Sequence, residues 1–189
     1  MRNIKAEIFN KKASDPNSMS DQIIKSIDLK TGNNIADIGS GGGYFSLKFA
    51  MSVGEHGRVY AVDKDSNLLN YIKEHSKERG VSNIIPILIK NDKMDLDKDS
   101  LDFIFMHNVT HHISDRVEYF NDLKCYLKEE GKIVIIEYKK SKIFSFRGIF
   151  GHYIPKAIII KEMKKAGYKL DKEFDFLPEQ HFTVYRKIK

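Results

Sequence analysis

The chain is 189 residues long and carries 32 Lys and Arg against 26 Asp and Glu, a formal net charge of +6. That length suits one α/β domain able to bury its own core; the apolar fraction of 41% argues against a disordered tail protein, and a lone cysteine, Cys125, excludes an intramolecular disulfide and a multi-cysteine zinc site. No stretch approaches the ~18 uninterrupted apolar residues of a membrane span, so a reducing, cytoplasmic setting is expected.

In chain order, the first ten residues read as a short helix and a second helix is expected from Pro16 to Leu29, with Ile23, Ile24 and Ile27 on one face and Gly32 beyond its end. The first strand, Asn34–Ile38, runs into Gly39-Ser40-Gly41-Gly42-Gly43 and a helix from Tyr44 to Ser52 whose Phe45, Leu47 and Phe49 can pack inward. Strand two is Arg58–Val62, followed by Asp63; Asp65 or Ser66 caps a helix ending at Gly80 as its C′ glycine. Strand three is Ile84–Ile89 and strand four Leu101–Met106, after which Ser114 caps a helix to Leu127 carrying Cys125 inward. Strand five, Lys132–Glu137, is apolar through its middle and therefore central in the sheet.

The stretch Tyr138–Ile154 is aromatic and basic without a clear period, and reads as a lid. Pro155 opens a helix ending at Gly167, and Tyr168–Phe176 and His181–Lys187, joined by Leu177-Pro178-Glu179-Gln180, form a terminal antiparallel hairpin. No repeat or linker divides the chain, so residues 1–189 read as one domain, with 1–32 an N-terminal helical segment and 138–155 the lid. Short β-branched runs alternating with amphipathic helices imply a mostly parallel sheet covered on both faces.

Spacing decides what the glycine-rich turn can hold. A Walker loop needs Gly-Lys-Ser/Thr, which is absent, and the dinucleotide pattern needs glycine where Tyr44 stands. What remains is Asp37-x-Gly39-x-Gly41-x-Gly43: glycines that let backbone approach a ligand, beside a carboxylate that would repel a diphosphate. A cationic or neutral ligand fits better. Asp63, 20 residues past Gly43 at the end of the second strand, is placed to accept the hydroxyls of an adenosine ribose. Either signal alone also has a bland reading, as a packing turn or a helix cap; their order and spacing favour an adenosyl ligand.

On these residues the chain resembles the class I S-adenosylmethionine-dependent methyltransferases, in particular the type 11 group also seen in quinone-biosynthesis enzymes. Ile35 to Gly43 looks like that family's first motif and Val62-Asp63 its second; Asn91-Asp92-Lys93-Met94 sits where the family holds the adenine ring. Leu101-Asp102-Phe103-Ile104, then His107 and His111-His112, is similar to its fourth-strand motif, and Gly131 to Ile136 to its fifth strand, the likeness reaching the Ala166-Gly167-Tyr168 turn. Thr110 departs from the customary leucine, and His107-Asn108 stand where amino-methylating enzymes carry Asn-Pro-Pro-aromatic.

The resemblance implies a Rossmann-like, seven-stranded sheet in the order 3-2-1-4-5-7-6, with S-adenosylmethionine as cofactor, S-adenosylhomocysteine as product and a small-molecule acceptor. It places Asp37, Gly39, Ser40, Gly41, Gly43, Asp63, Lys64, Asn91, Asp92, Lys93, Met94, His107, Asn108 and His112 at the cofactor. His107 is the expected general base, because an imidazole titrates near neutrality; the bland alternative is a loop or cap residue. Three histidines within six positions raise a metal only remotely, no further ligand being evident. For Tyr44, cover over the ligand and core packing stand equal.

Charge bears on the acceptor. Residues 138–189 sum to +8 and residues 1–137 to −2, but Lys outnumbers Arg 26 to 6, which weakens a reading of phosphate recognition. Phe144, Phe146, Phe150 and Tyr153 could wall an apolar acceptor and Lys139, Lys142 or Arg147 hold an anionic group, so an anionic or amphipathic small molecule is expected. RNA is the alternative acceptor, and a non-catalytic cofactor-binding scaffold with a partner subunit is the alternative role.

Overall fold

The computed structural model describes residues 3–90, 94–139 and 153–189. Within them, strands β1 (Asn34–Ile38), β2 (Arg58–Asp63), β3 (Ile84–Leu88), β4 (Leu101–His107), β5 (Leu127–Tyr138), β6 (Tyr168–Phe174) and β7 (Gln180–Lys187) build one sheet. Its order is β3-β2-β1-β4-β5-β7-β6. The first five are mutually parallel, with Asp37 level with Ala61 and Phe105, while β7 runs antiparallel to both β5 and β6. The expected mostly parallel sheet with a terminal antiparallel hairpin is the fold.

Helices α1 (Ile4–Ala13), α2 (Ser20–Ile27), α3 (Tyr44–Val53), α4 (Ser66–Glu78), α5 (Arg116–Leu123) and α6 (Lys156–Lys165) accompany it. Two apolar clusters flank the sheet, and the strand period of two assigns alternate residues to each. Val134 and Ile136 join Ile35, Phe45, Phe49 and Phe182 on one side; Ile133 and Ile135 join Ile104, Met106, Tyr168 and Tyr185 on the other. The apolar run of β5 is thus continuous because both of its faces are covered.

Several expectations shift. The helix expected over Pro16–Leu29 breaks in two: a 3-10 turn, Pro16–Ser18, capped by Asp15, precedes Met19 at φ 52, and α2 then stops at Asp28, φ 60. Asp115, not Ser114, caps α5, its side chain accepting the Glu118 amide. That helix ends at Leu123 rather than Leu127, because Leu127 pairs with Leu101 and extends β5 five residues further toward its N-terminus than expected. Gly131 permits the extension, since a Cβ there would meet the Leu101 carbonyl at 2.9 Å. Cys125 falls in the connecting turn and is exposed rather than packed.

At β1 and β4 the chain leaves toward opposite sides of the sheet, the switch point at which open α/β sheets bind ligands beyond the carboxyl ends of their strands. Among the described residues, no helix is long and apolar enough to cross a membrane. Of the stretch expected as a lid, residues 140–152 lie outside the described residues, and with them Lys142, Phe144, Phe146, Arg147 and Phe150.

Candidate active site

The turn after β1 is held by backbone before any ligand enters. The Gly39 and Ser40 amides both donate to the Val62 carbonyl, at 2.8 and 3.1 Å, and Gly43 donates to the Ser40 carbonyl at 2.8 Å before α3 begins. Gly39 sits at φ 74, and a Cβ on it would strike Val109 at 2.8 Å. Gly42 lies against α1: a Cβ would meet the Ala6 carbonyl at 2.4 Å, while Asn10 Nδ2 donates to the Gly42 carbonyl at 2.9 Å. The tight packing admits no side chain at either position.

Asp37 is buried beneath this turn, its carboxylate accepting the Ser46 hydroxyl at 2.6 Å. Burial pushes its pKa up to about 7, opposed by the Ser46 bond and reinforced by repulsion from Asp63. Asp63, at the tip of β2, accepts the Gly41 amide on Oδ2 and the Asp65 amide on Oδ1, both at 3.0 Å. Each oxygen retains acceptor capacity after one such bond. Ser40 is buried and its hydroxyl has no partner among the described residues, an orphan that a ligand group in the turn would satisfy.

Met94 is buried with Ile38 and Val62 at the carboxyl ends of β1 and β2, and its carbonyl accepts the Tyr126 hydroxyl at 3.0 Å. Asn91, Asp92 and Lys93 lie outside the described residues. Lys64 is exposed, as is His112. Tyr44 is half-buried, packing on the core while its hydroxyl meets Ser20 Oγ at 3.0 Å.

Across the switch point, His107 ends β4 with its ring 4.9 Å from Phe45 and 6.2 Å from Phe105. Its Nε2 lies 3.0 Å from Gln180 Nε2, and Gln180 also donates to Asn108 Oδ1 at 2.9 Å. Because the Gln180 amide nitrogen is a donor, His107 Nε2 is the acceptor, and the imidazole is neutral. Burial lowers its pKa to about 4, with Glu137 pulling the other way and Lys12 adding to the depression. Asn108 takes φ 55, a left-handed conformation rare outside glycine and tolerated best by asparagine.

Beyond it, the 3-10 turn Thr110–His112 lays Thr110 and His111 against Glu137 near the end of β5. Glu137 is wholly buried. Sequence reading named Glu137 only as a strand end and left Gln180 in a turn; both are drawn in by strand pairing, Glu137 standing opposite His181 next to the Tyr138–Gln180 pair. The one signal was a carboxylate closing an otherwise apolar strand. A groove of ≈ 700 Å³ opens between α1, α3 and α4, but Asp37, Asp63, His107 and His111 do not line it.

Comparison with known proteins bears on the family and the fold. A family model described as a methyltransferase domain matches residues 29–173. The demethylmenaquinone methyltransferase of Bacillus subtilis is 23% identical over 161 residues, 84% of this chain and 67% of that protein. The chain spans between about half and two thirds of the length of the first such quinone-biosynthesis relatives. A crystal structure of an S-adenosylmethionine-dependent methyltransferase from Aquifex aeolicus shares the fold with a TM-score of 0.83 at 24% identity, over 93% of this chain and 95% of that one. A geranyl diphosphate C-methyltransferase from Streptomyces coelicolor, solved with S-adenosyl-L-homocysteine, shares it at 0.76 and 12% identity, over 92% and 79%.

Proposed function

The chain belongs to the methyltransferase-domain family, and on that premise we propose that it transfers a methyl group from S-adenosylmethionine to a small-molecule acceptor. The observation that carries the reading is the pairing of two carboxylates, Asp37 and Asp63, at the carboxyl ends of neighbouring strands around a glycine turn with an orphaned Ser40 hydroxyl. The residues fit the cofactor. Asp63 would take the ribose hydroxyls, Ser40 and the amides of Gly39, Gly41 and Gly43 the amino-acid end, and Met94 one face of the adenine; Asn91, Asp92 and Lys93, which the resemblance assigns to the adenine, lie outside the described residues. Asp37, held near neutrality by burial, ionises more readily beside a cationic ligand. Lys64, His112 and Asn108 are assigned to the margin of the same site.

Bound there, the cofactor supplies an electrophilic sulfonium methyl, and the protein's part is mainly to position the acceptor and exclude water. His107, expected as the base, is read as a wall of this site: neutral, pinned by Gln180 and packed on Phe45, it orients rather than abstracts. The likeness to demethylmenaquinone methyltransferase supports an apolar ring compound as acceptor. The test is incubation of the protein with methyl-labelled S-adenosylmethionine and either a small-molecule extract or an RNA fraction. Label recovered in an extractable small molecule, with equimolar S-adenosylhomocysteine, is the expected result. Label confined to RNA, or no product from either fraction, overturns it.

A further inference from the structure

Glu137, near the end of β5 on the switch-point side of the sheet, is wholly buried, and among the described residues neither lysine nor arginine forms an ion pair with it. Its four donors are local. Oε2 accepts the Thr110 hydroxyl at 2.5 Å and the His111 amide at 3.3 Å; Oε1 accepts the Tyr138 amide at 2.9 Å and lies 3.0 Å from His111 Nδ1. Burial alone would raise the carboxyl pKa, but the bonds from His111, Thr110 and Tyr138 prevail and hold it below its ordinary value. A buried ionised carboxylate is a poor way to stabilise a core, where apolar residues of similar volume do as well or better. Its recurring use elsewhere is to set the tautomer and orientation of a histidine.

An ionised carboxylate can only accept, so His111 Nδ1 must carry the hydrogen, which leaves Nε2 as the one ring nitrogen that can hold a lone pair. The turn bearing His111 follows β4, and Glu137 lies at the corresponding end of β5, so the pair stands beside the crevice assigned to the cofactor. Among the described residues, His107 from β4, His181 from β7 and Arg116 from α5 feel the Glu137 charge, with Lys12 of α1 acting on His107 and Lys139 and Lys156 on His181. The His112 ring lies against the His111 ring, tilted by 51° at 4.1 Å between centroids.

We propose that His111 is the general base of methyl transfer, held in its Nδ1–H tautomer by Glu137, and that the acceptor is a phenolic or enolic hydroxyl or a carbon acid. The inference rests on the methyltransferase reading above. The Nε2 lone pair takes the acceptor proton as the acceptor's electron pair forms its bond to the methyl carbon; the carbon–sulfur bond breaks with its pair on sulfur, giving a neutral thioether. The charge lost from the sulfonium reappears on the imidazolium, stabilised by Glu137 until the proton passes to solvent. Glu137 is a positioning residue in this scheme. An amine acceptor brings its own lone pair and needs a base less, whereas a hydroxyl or carbon acid must lose its proton.

The test uses the full chain as wild type, His111→Gln and Glu137→Gln, with three readouts: calorimetric binding of S-adenosylhomocysteine, long-range proton–nitrogen NMR of the imidazoles, and label transfer into a small-molecule extract. All three proteins are expected to bind S-adenosylhomocysteine within about threefold of one another. His111 should be Nδ1-protonated in the wild type and lose that preference in Glu137→Gln. Label transfer should fall about 100-fold or more in His111→Gln, the range of general-base removal, and about tenfold or more in Glu137→Gln. A wild-type His111 protonated on Nε2 overturns the proposal, as does a His111→Gln protein that binds S-adenosylhomocysteine normally and labels within threefold of wild type. A wild type that binds S-adenosylhomocysteine yet labels nothing also contradicts it. Absence of binding by the wild type contradicts the methyltransferase reading itself.

Discussion

Asp37 shows how one buried carboxylate couples ligand binding to pH. Its pKa, about 7 in the folded chain against 3.8 for the free side chain, means that the native state holds a proton the unfolded state has released. Unfolding free energy from this group therefore falls as pH rises from about 4 to about 7 and is flat beyond. Asp37→Asn should remove that slope and raise the melting temperature by about 2–4 °C at pH 8, measured as melting temperature against pH; an unchanged slope would refute the assignment. Gly42 makes a steric case at the same scale. With the Ala6 carbonyl 2.4 Å from a Cβ, Gly42→Ala must push α1 off the turn, at a cost of about 1–3 kcal/mol. Denaturant titration should register the loss, and hydrogen exchange should accelerate over residues 4–13. Asp37, the glycines and Asp63 could be singled out as candidates from the sequence because they lie within a few residues of a strand end. Glu137 with His111 was not, because 26 residues separate them and only strand pairing joins them.

At the scale of elements, most helix ends follow from a side chain meeting an orphan amide or from a glycine at positive φ. Asp65 accepts the Asn67 amide to start α4, and Gly80 follows its end at φ 68, both as the pattern suggests. The second helix was misread because its apolar spacing runs on while the backbone turns left-handed at Met19 and Asp28, and neither residue type announces it. Asp28 adopts φ 60 with only an exposed ion pair to Lys30 to lose, so Asp28→Gly is expected to stabilise the chain by up to about 1 kcal/mol, read from the denaturation midpoint; destabilisation would show that the side chain contributes more than its conformation costs. The docking of α1 was equally invisible, since its one buried side chain is Ala6, set against Leu68 and Tyr71 of α4, and the rest of its grip on the glycine turn and α4 is largely polar, through Asn10, Lys5 to Asp65 and Asn3 to the Asn67 carbonyl. No apolar period could have marked it.

For the whole molecule, the alternation of strand and helix carried the mostly parallel sheet covered on both faces, whereas the strand order, which the structure bears out, came from the family resemblance. Among the described residues, Arg186 pairs with Asp171, Lys156 with Glu173 and Lys189 with Glu130, and Lys139 donates to the Leu177 carbonyl; the first two pairs lie within the +8 sum of residues 138–189, so the net excess stands. The central claim is that the crevice at β1 and β2 takes an adenosyl ligand through Asp63. Calorimetric titration of wild type and Asp63→Ala with S-adenosylhomocysteine tests it most directly. The account predicts saturable one-to-one binding by the wild type and affinity at least about tenfold weaker in the variant; no binding by the wild type, or equal affinity in both, would contradict it.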